Sequence, residues 1–235
     1  TGIVADAKRA LAALAEAVQR AGTASPADWQ ERARARNRQW QAERAAALDP
    51  ATPFDRSALE AGVPGTGAVL TQGQLIGLLQ EHAQAGDVII AAAGGPPGDL
   101  QKVWDATEGR LTHLEFGFSC MGYELPAAIG VRLAEPDPAK RIVSFLGDGT
   151  FLMAPTELVT AAQEGLPVTV VIPENHGYQV IHRLQLGRSG REFGNEFRYR
   201  TSQLDLDSPK PARLDGEYLR ADLAAVAAGL GARAI

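Results

Sequence analysis

The residues with the clearest chemical potential lie in two short polar turns, each of which follows an apolar run. Gly147-Asp148-Gly149 follows the run 142–146, and Asn175-His176-Gly177 comes shortly after the run 168–172. The Asp148 carboxylate and the Asn175 amide oxygen are hard oxygen ligands of the kind that Mg²⁺ or Ca²⁺ prefers, and Gly177 offers a backbone carbonyl. If the two turns meet in space, they predict a divalent metal site.

The first turn also carries groups that suit an anion. Gly149 and Thr150 lie where the chain enters the loop before a predicted helix, so backbone N–H groups and a hydroxyl are available to hold a phosphate beside the metal. The implied ligand is a metal-bound diphosphate. An isolated Gly-Asp-Gly is commonly no more than a turn, so this prediction depends on the elements that bring the two turns together.

Those elements read as one βαβ unit. The runs 142–146 and 168–172 are short, β-branched and apolar, which is typical of parallel strands buried on both faces. Between them, Thr156 as N-cap and Gly165 after the last turn predict a helix. A right-handed crossover places both polar turns at the same carboxyl edge of the sheet. The predicted fold class is α/β, a doubly wound parallel sheet flanked by helices.

A further strand is predicted upstream at 88–92, after a helix that Thr71 caps and that runs to about residue 85. The strand leads into Gly94 and Gly95, whose small size lets a diphosphate approach the backbone, although a plain glycine-proline loop explains them equally well. Leu100, Val103 and Trp104 predict a short helix beyond that loop.

The chain is expected to divide into two parts. Residues 1–67 contain helical patterns at 3–21 and 27–48 and then a segment rich in Pro, Gly and Ala, so they are interpreted as a helical linker or the end of a preceding domain. Residues 68–235 form the main domain. Within it, 178–201 is expected to be a polar lid or substrate loop, positively charged through Arg188, Arg191, Arg198 and Arg200, and 218–230 to be a last helix.

Composition excludes several classes of function. A net charge of −5 and a pI near 5.4 argue against nucleic acid as the main partner. Cys120 is the one cysteine, so no intrachain disulfide forms; it is expected to be a buried small hydrophobe in a reducing compartment. No apolar run approaches the roughly 20 residues of a membrane span, and no signal peptide is recognised, which together predict a cytoplasmic protein.

The central unit also resembles a known family. This unit resembles the thiamine diphosphate (ThDP) binding motif of decarboxylase and acetolactate-synthase type enzymes. In both, a strand is followed by Gly-Asp-Gly, a crossover and a second strand, and an Asn follows that second strand. Here the two turns are Gly-Asp-Gly-Thr and Asn-x-Gly. The resemblance implies ThDP and Mg²⁺ as cofactors. That family has Asn-Asn where this chain has Glu174-Asn175, so the metal role passes to Asn175. The residues implied to bind the metal are Asp148, Asn175 and Gly177, and those implied to border the cofactor are Gly94, Gly95, Gly147, Gly149, Thr150, Asn175, His176 and Gly177.

A second segment supports the same family. Residues 116–130 resemble its Gly-x-Met-Gly-x-x-Leu-Pro-Ala-Ala motif. The resemblance implies that Met121 wedges under the cofactor and holds it bent, and that the backbone carbonyl of Ser119 accepts a hydrogen bond from the aminopyrimidine. Ordinary core filling is the alternative for Met121.

Three sequence segments resemble one branch of that family, the trihydroxycyclohexane-dione hydrolases of inositol catabolism. These segments are 113–130, 147–165 and 184–200. The branch implies hydrolysis of a carbon–carbon bond in a cyclic 1,2-diketone to give a deoxy-uronic acid, in a homodimer or tetramer with the cofactor at the subunit interface. The glutamate that activates the cofactor is expected on a pyrimidine-binding domain that nothing in this chain matches, so no catalytic residue is assigned.

Other functions remain open at this stage. Within the family, an acetolactate synthase-like enzyme or a 2-oxoacid decarboxylase is the alternative. A metal-dependent phosphohydrolase also uses an aspartate at a strand end, but it needs a second nearby carboxylate, and Asp148 has only glycines beside it. A non-catalytic assembly module is the remaining alternative.

Overall fold

A computed structural model describes residues 2, 4–22, 27–53, 70–190, 194–201, 214 and 216–235. The chain divides into two compact units, Thr1–Ala46 and Ala47–Ile235. The predicted boundary after residue 67 lies outside the described residues. No helix in the described part of the chain combines the length and the apolar character needed to cross a membrane.

The first unit is helical, as predicted. Helix α1 spans Ala7–Ala21, begins where the Asp6 carboxylate accepts the N–H of Arg9 at 3.0 Å, and ends at Gly22 with a φ of +63°. A left-handed residue at this position is the usual way to terminate a helix, and glycine adopts it without strain. Helix α2 spans Ala27–Leu48. Neither helix buries a residue within the described structure.

The second unit is built on a four-stranded parallel sheet in the order β2-β1-β3-β4. Its strands are β1 (Val88–Ala91), β2 (Leu111–Leu114), β3 (Ile142–Phe145) and β4 (Thr169–Val171). Val88 pairs with Leu111 on one side and with Ile142 on the other, and Val143 pairs with Thr169. The chain therefore winds outward from β1 to β2 and then crosses back to β3, so the sheet is doubly wound as predicted.

The second unit also contains several helices. They are α3 (Gln72–His82), α4 (Gly95–Val103), α5 (Glu124–Ala134), α6 (Asp148–Met153), α7 (Glu157–Gln163), α8 (Gln179–Ser189) and α9 (Leu223–Gly229), with a 3₁₀ turn at Thr107–Gly109. Thr71 caps α3 as predicted, within a capping box in which Thr71 and Gln74 satisfy each other's backbone N–H groups. The helix ends three residues before the predicted residue 85.

The core consists of apolar clusters on the two faces of the sheet. On one face, Ile89, Ala91 and Phe145 of the strands pack against Ile76 of α3 and against Leu100 and Val103 of α4. On the other face, Ile90 and Ile142 of the strands pack against Ala128 of α5. Leu146, directly after β3, packs there against Leu125, Phe151 and Leu158, which lie in α5, α6 and α7. Since successive residues of a strand point to opposite faces, adjacent residues such as Ile89 and Ile90 belong to different clusters. This two-sided burial explains why β1 and β3 are almost uninterrupted apolar runs.

Some predicted elements were wrong. The crossover from β3 to β4 contains two helices, and Gly147-Asp148-Gly149 opens the first of them, while Thr156 makes no side-chain capping bond to the second. The predicted lid at 178–201 begins with helix α8, whose polar composition matches the fact that it buries no residue. Tyr218 lies in an isolated bridge to Arg198, so the last helix starts only at Leu223. Strand β2 was not predicted, because most of its side chains are exposed at the edge of the sheet.

Candidate functional site

The predicted site residues follow the strands at which the winding reverses. Gly94 and Gly95 come shortly after β1, and Gly147 to Thr150 come directly after β3. Because the chain leaves β1 and β3 toward opposite sides of the sheet, a crevice forms between their carboxyl ends, which is where open α/β sheets bind ligands. An added Cβ at Gly147 would meet no atom within 4 Å, so the backbone here borders open space.

Asp148 joins the loop after β3 to the loop after β4. Its carboxylate is 3% exposed. Oδ1 accepts the N–H of Gly149 at 2.7 Å, and Oδ2 accepts the N–H groups of Asn175 at 3.3 Å and Gly177 at 3.0 Å. The structure therefore brings together all three residues of the predicted metal site, Asp148, Asn175 and Gly177.

The donors present fit a Mg²⁺ ion that also binds a diphosphate. A carboxylate offers about four lone-pair sites, and the three N–H bonds to Asp148 leave capacity for a metal. Asn175 and Gly177 supply an amide oxygen and a backbone carbonyl on the loop that Asp148 holds. Among the described residues, no group of three or more His, Cys, Asp or Glu side chains is arranged to hold a metal. For an ion held by Asp148, Asn175 and Gly177, the diphosphate and water would supply further oxygen ligands.

Two glycines are required by close packing around this loop. A Cβ at Gly149 would lie 2.5 Å from Cε1 of Tyr178. Gly177 has a φ of +135°, and its Cβ would overlap the carbonyl oxygen of Asn195. This overlap arises because 194–197 runs alongside the loop: Tyr178 N–H donates to Asn195 O at 2.7 Å and Phe197 N–H to His176 O at 2.9 Å.

His176 has its ring packed within the protein. It adopts a φ of +58°, its side chain is nearly buried, and its ring centroid lies 5.0 Å from that of Tyr218. Nδ1 lies 3.3 Å from Oε1 of Glu174, the residue to which no role was assigned.

A polar cluster that was not predicted supports the same loop. Glu196 accepts the Tyr218 hydroxyl at 2.6 Å and Nε of Arg198 at 2.7 Å, and the Arg198 guanidinium lies 3.5 Å above the Tyr218 ring. Burial raises the pKa of Tyr218, and Glu196 adds to this, to about 12. Burial alone would raise the pKa of Glu196, but the bonds from Arg198 and Tyr218 outweigh it and lower the pKa.

The cluster changes the interpretation of the arginines. Arg198 is engaged by Glu196, so it is not a free cation for a substrate, and Arg191 lies outside the described residues. Glu196 and Tyr218 are far apart in sequence and show no periodic signal, so no local pattern indicated that they would meet.

The segment predicted to bend the cofactor is organised by Glu115. Its carboxylate accepts the N–H groups of Cys120 at 2.9 Å and Phe118 at 3.0 Å, and these two bonds lower the pKa of Glu115. Ser119 adopts a φ of +53°, and its Oγ donates to the carbonyl oxygen of Ala92 at 3.2 Å. Met121 is half-buried. The prediction that Cys120 is buried was wrong: its thiol is exposed, because this loop is held by backbone bonds and not by core packing.

Comparison with known proteins agrees with this geometry. Residues 92–235 match the family model described as "Thiamine pyrophosphate enzyme, C-terminal TPP binding domain". Proteins named 3D-(3,5/4)-trihydroxycyclohexane-1,2-dione hydrolase from Bacillus thuringiensis (strain Al Hakam) and Bacillus anthracis (strain CDC 684 / NRRL 3495) are each 39% identical over 171 residues, 73% of this chain and 25% of theirs. One of the same name from Bacillus cereus (strain AH820) is 39% identical over 180 residues, 77% of this chain and 26% of its own.

The chain thus spans about a quarter of the length of these relatives. The matched region begins at the carboxyl end of β1 and includes the crevice, the Met121 segment and both loops that Asp148 joins. The chain belongs to the thiamine pyrophosphate enzyme family, of which it carries the C-terminal ThDP-binding domain.

Proposed function

We propose that this chain provides the diphosphate and Mg²⁺ site of a ThDP-dependent hydrolase in myo-inositol catabolism. The substrate is trihydroxycyclohexane-1,2-dione, a cyclic diketone derived from a polyol, and the product of ring opening is a 5-deoxy-uronic acid. The observation that carries the proposal is that the Asp148 carboxylate accepts backbone N–H groups from both loops, which brings the three proposed metal ligands together. The names of the relatives at 39% identity support the substrate.

The residues have distinct roles in this proposal. Asp148, Asn175 and Gly177 hold Mg²⁺. The diphosphate is bordered by the backbones of Gly94, Gly95, Gly147, Gly149, Thr150 and His176 and by the Thr150 hydroxyl. Met121 would lie beneath the cofactor and support it, and the Ser119 carbonyl would accept a hydrogen bond from its aminopyrimidine. When bound, ThDP supplies the electron sink for carbon–carbon bond cleavage. The groups of this chain hold the cofactor and leave bond cleavage to it.

Calorimetric titration of ThDP, with and without Mg²⁺, tests the proposal. Binding is expected to require Mg²⁺, and Asp148→Asn is expected to weaken it at least tenfold because the amide lacks the negative charge of the carboxylate. Asp87→Asn is the matched control, since Asp87 is also a buried aspartate that accepts backbone N–H groups, but beside the amino ends of the strands. If the two variants bound ThDP with equal affinity, the assignment of Asp148 as a metal ligand would be wrong.

The same titration separates the other functions. An absence of heat with ThDP and Mg²⁺ favours the non-catalytic assembly module. Heat with Mg²⁺ and inorganic phosphate, but none with ThDP, favours a phosphohydrolase. Within the family, turnover of pyruvate by the assembled enzyme, and none of the dione, favours an acetolactate synthase-like or decarboxylase activity.

We also propose a cytoplasmic homodimer or tetramer with the cofactor at the subunit interface. Phe116 and Phe118 are 52% and 90% exposed and lie directly before Ser119, and exposed large apolar groups beside a binding site mark an interaction surface. The exposed thiol of Cys120 suits a reducing compartment. Sedimentation of the assembled enzyme, with Phe118→Ser as the variant expected to dissociate, tests the oligomer.

A further inference from the structure

Glu124 is a buried carboxylate to which the proposed function assigns no role. It is the first residue of α5 and is 0% exposed. Oε1 accepts the N–H groups of Ala93 at 2.9 Å and Ala92 at 3.3 Å, while Oε2 has no hydrogen-bond partner among the described residues. Burial raises the pKa of Glu124, against the lowering effect of the Ala93 N–H. Burying an ionisable acid destabilises a fold unless other groups compensate, so its presence here calls for a specific reason.

The two amides that Glu124 binds set the path of the glycine loop. Ala92 and Ala93 lie between the end of β1 and Gly94, which has a φ of +83° and leads into α4. Both alanines are buried. Their N–H groups lie beyond the strand, so without Glu124 they would be buried donors with no partner in the described part of the chain, which is costly.

Ala92 is also held through its carbonyl. Ser119 Oγ donates to Ala92 O at 3.2 Å, and Ser119 is in turn held in its left-handed conformation by the loop that Glu115 organises. The segment 119–124 therefore forms hydrogen bonds to both the N–H and the carbonyl of Ala92. These bonds connect two segments. Ala92 leads into the loop assigned to the diphosphate, and Ser119 and Met121 are assigned to the opposite end of the cofactor.

We propose that Glu124 is a positioning residue that fixes the diphosphate loop at Gly94 and Gly95 against the Met121 segment, and so sets the distance between the two ends of the ThDP site. The proposal rests on the proposed function for the roles of these segments. Glu124 touches no cofactor itself, and it acts through the backbone of Ala92 and Ala93.

Hydrogen exchange followed by mass spectrometry tests, without cofactor, whether Glu124 fixes the backbone of Ala92 and Ala93. Glu124→Ala is expected to speed exchange of peptides covering residues 92–98 at least tenfold more than peptides covering β3 and β4. Glu124→Gln keeps an oxygen acceptor and should stay within threefold of wild type. Glu124→Asp keeps the charge, but its side chain is one methylene too short to reach the two N–H groups. It replaces Glu124→Ala in this experiment if the alanine variant does not fold. Asp87→Asn controls for general loss of a buried carboxylate, and uniform acceleration in all variants would overturn the proposal.

Calorimetry with ThDP and Mg²⁺ then tests the consequence for the site. The alanine or aspartate variant should bind at least tenfold more weakly, with rescue by Glu124→Gln. Loosened exchange at 92–98 with unchanged ThDP affinity overturns the positioning role. A wild-type chain that binds no ThDP refutes the proposed function instead, and the exchange data still decide whether Glu124 fixes the loop.

Discussion

At the scale of single residues, Gly177 offers a direct test of the loop proposed to hold the metal ligands. Gly177→Ala is expected to destabilise the fold by about 1–3 kcal/mol, because its φ of +135° is a strained conformation for any other residue. The added methyl would also displace Asn195 and weaken Mg²⁺-dependent ThDP binding. Urea unfolding and calorimetry measure the two effects.

Gly187→Ala is the matched control for this substitution. Gly187 lies in α8, and its added Cβ would meet no atom within 4 Å. Alanine is favoured over glycine inside a helix, so a gain of about 0.5–1 kcal/mol is expected. If the two substitutions had the same effect, backbone strain at Gly177 would be excluded.

Asp87 is expected to make the fold sensitive to acid. Oδ1 accepts the N–H of Arg141, and Oδ2 accepts the N–H of Gln84 and Nε of Arg141. Burial alone would raise the pKa of Asp87, but these bonds outweigh it and hold the pKa below the ordinary 3.8. Because the pKa is lower in the folded state, the stabilisation is present above pH 3.8 and is lost as the pH falls through the folded value.

Asp87→Asn should therefore cost about 1–3 kcal/mol at pH 7 and progressively less below pH 4. Urea unfolding at a series of pH values measures this. Asp137→Asn changes an exposed aspartate that accepts a backbone N–H from Ala139, and it is expected to have little effect at any pH. A penalty at Asp87 that persisted in strong acid would show that packing, and not the carboxylate charge, is responsible.

At the scale of elements, the Glu196, Arg198 and Tyr218 cluster joins two segments that belong to no regular sheet. Tyr218→Phe removes the bond to Glu196 but keeps the ring against His176. A hydrogen bond to a charged group contributes about 1.5–3 kcal/mol, so a loss of that size is expected, with faster hydrogen exchange at 176–178. Tyr199→Phe, at a side chain that is 56% exposed, is the control.

The raised pKa of Tyr218 also predicts how the loss of stability in Tyr218→Phe depends on pH. Since folding raises the pKa of Tyr218 from 10.0 to about 12, the stabilisation is complete below pH 10 and is lost as the pH rises through about 12. The penalty should therefore be equal at pH 7 and pH 9. A penalty that already declines between these values would contradict the assignment of the hydroxyl as a donor to Glu196.

Whether an element could be predicted from the sequence depends on which contacts stabilise it. Strands β1, β3 and β4 were predicted to within a residue or so at each end, since their composition records burial in the sheet. The meeting of Asp148 with the loop after β4 followed from the handedness of the crossover. Strand β2 and the pairing of Tyr218 with Glu196 depend on contacts distant in sequence, which leave no local periodicity. Glu124 did leave a signal, a lone charge at the start of an apolar helix.

At the scale of the whole molecule, ring opening of the dione by these 235 residues alone is expected to be undetectable. The matched segment is 25% of the relatives named as hydrolases, and the resemblance places the cofactor-activating glutamate on a separate pyrimidine-binding domain. A coupled assay for the open-chain acid measures this, with the Bacillus thuringiensis protein as positive control and calorimetry to show that the chain binds ThDP. Turnover that disappears in Asp148→Asn would mean that this chain contains its own activating group.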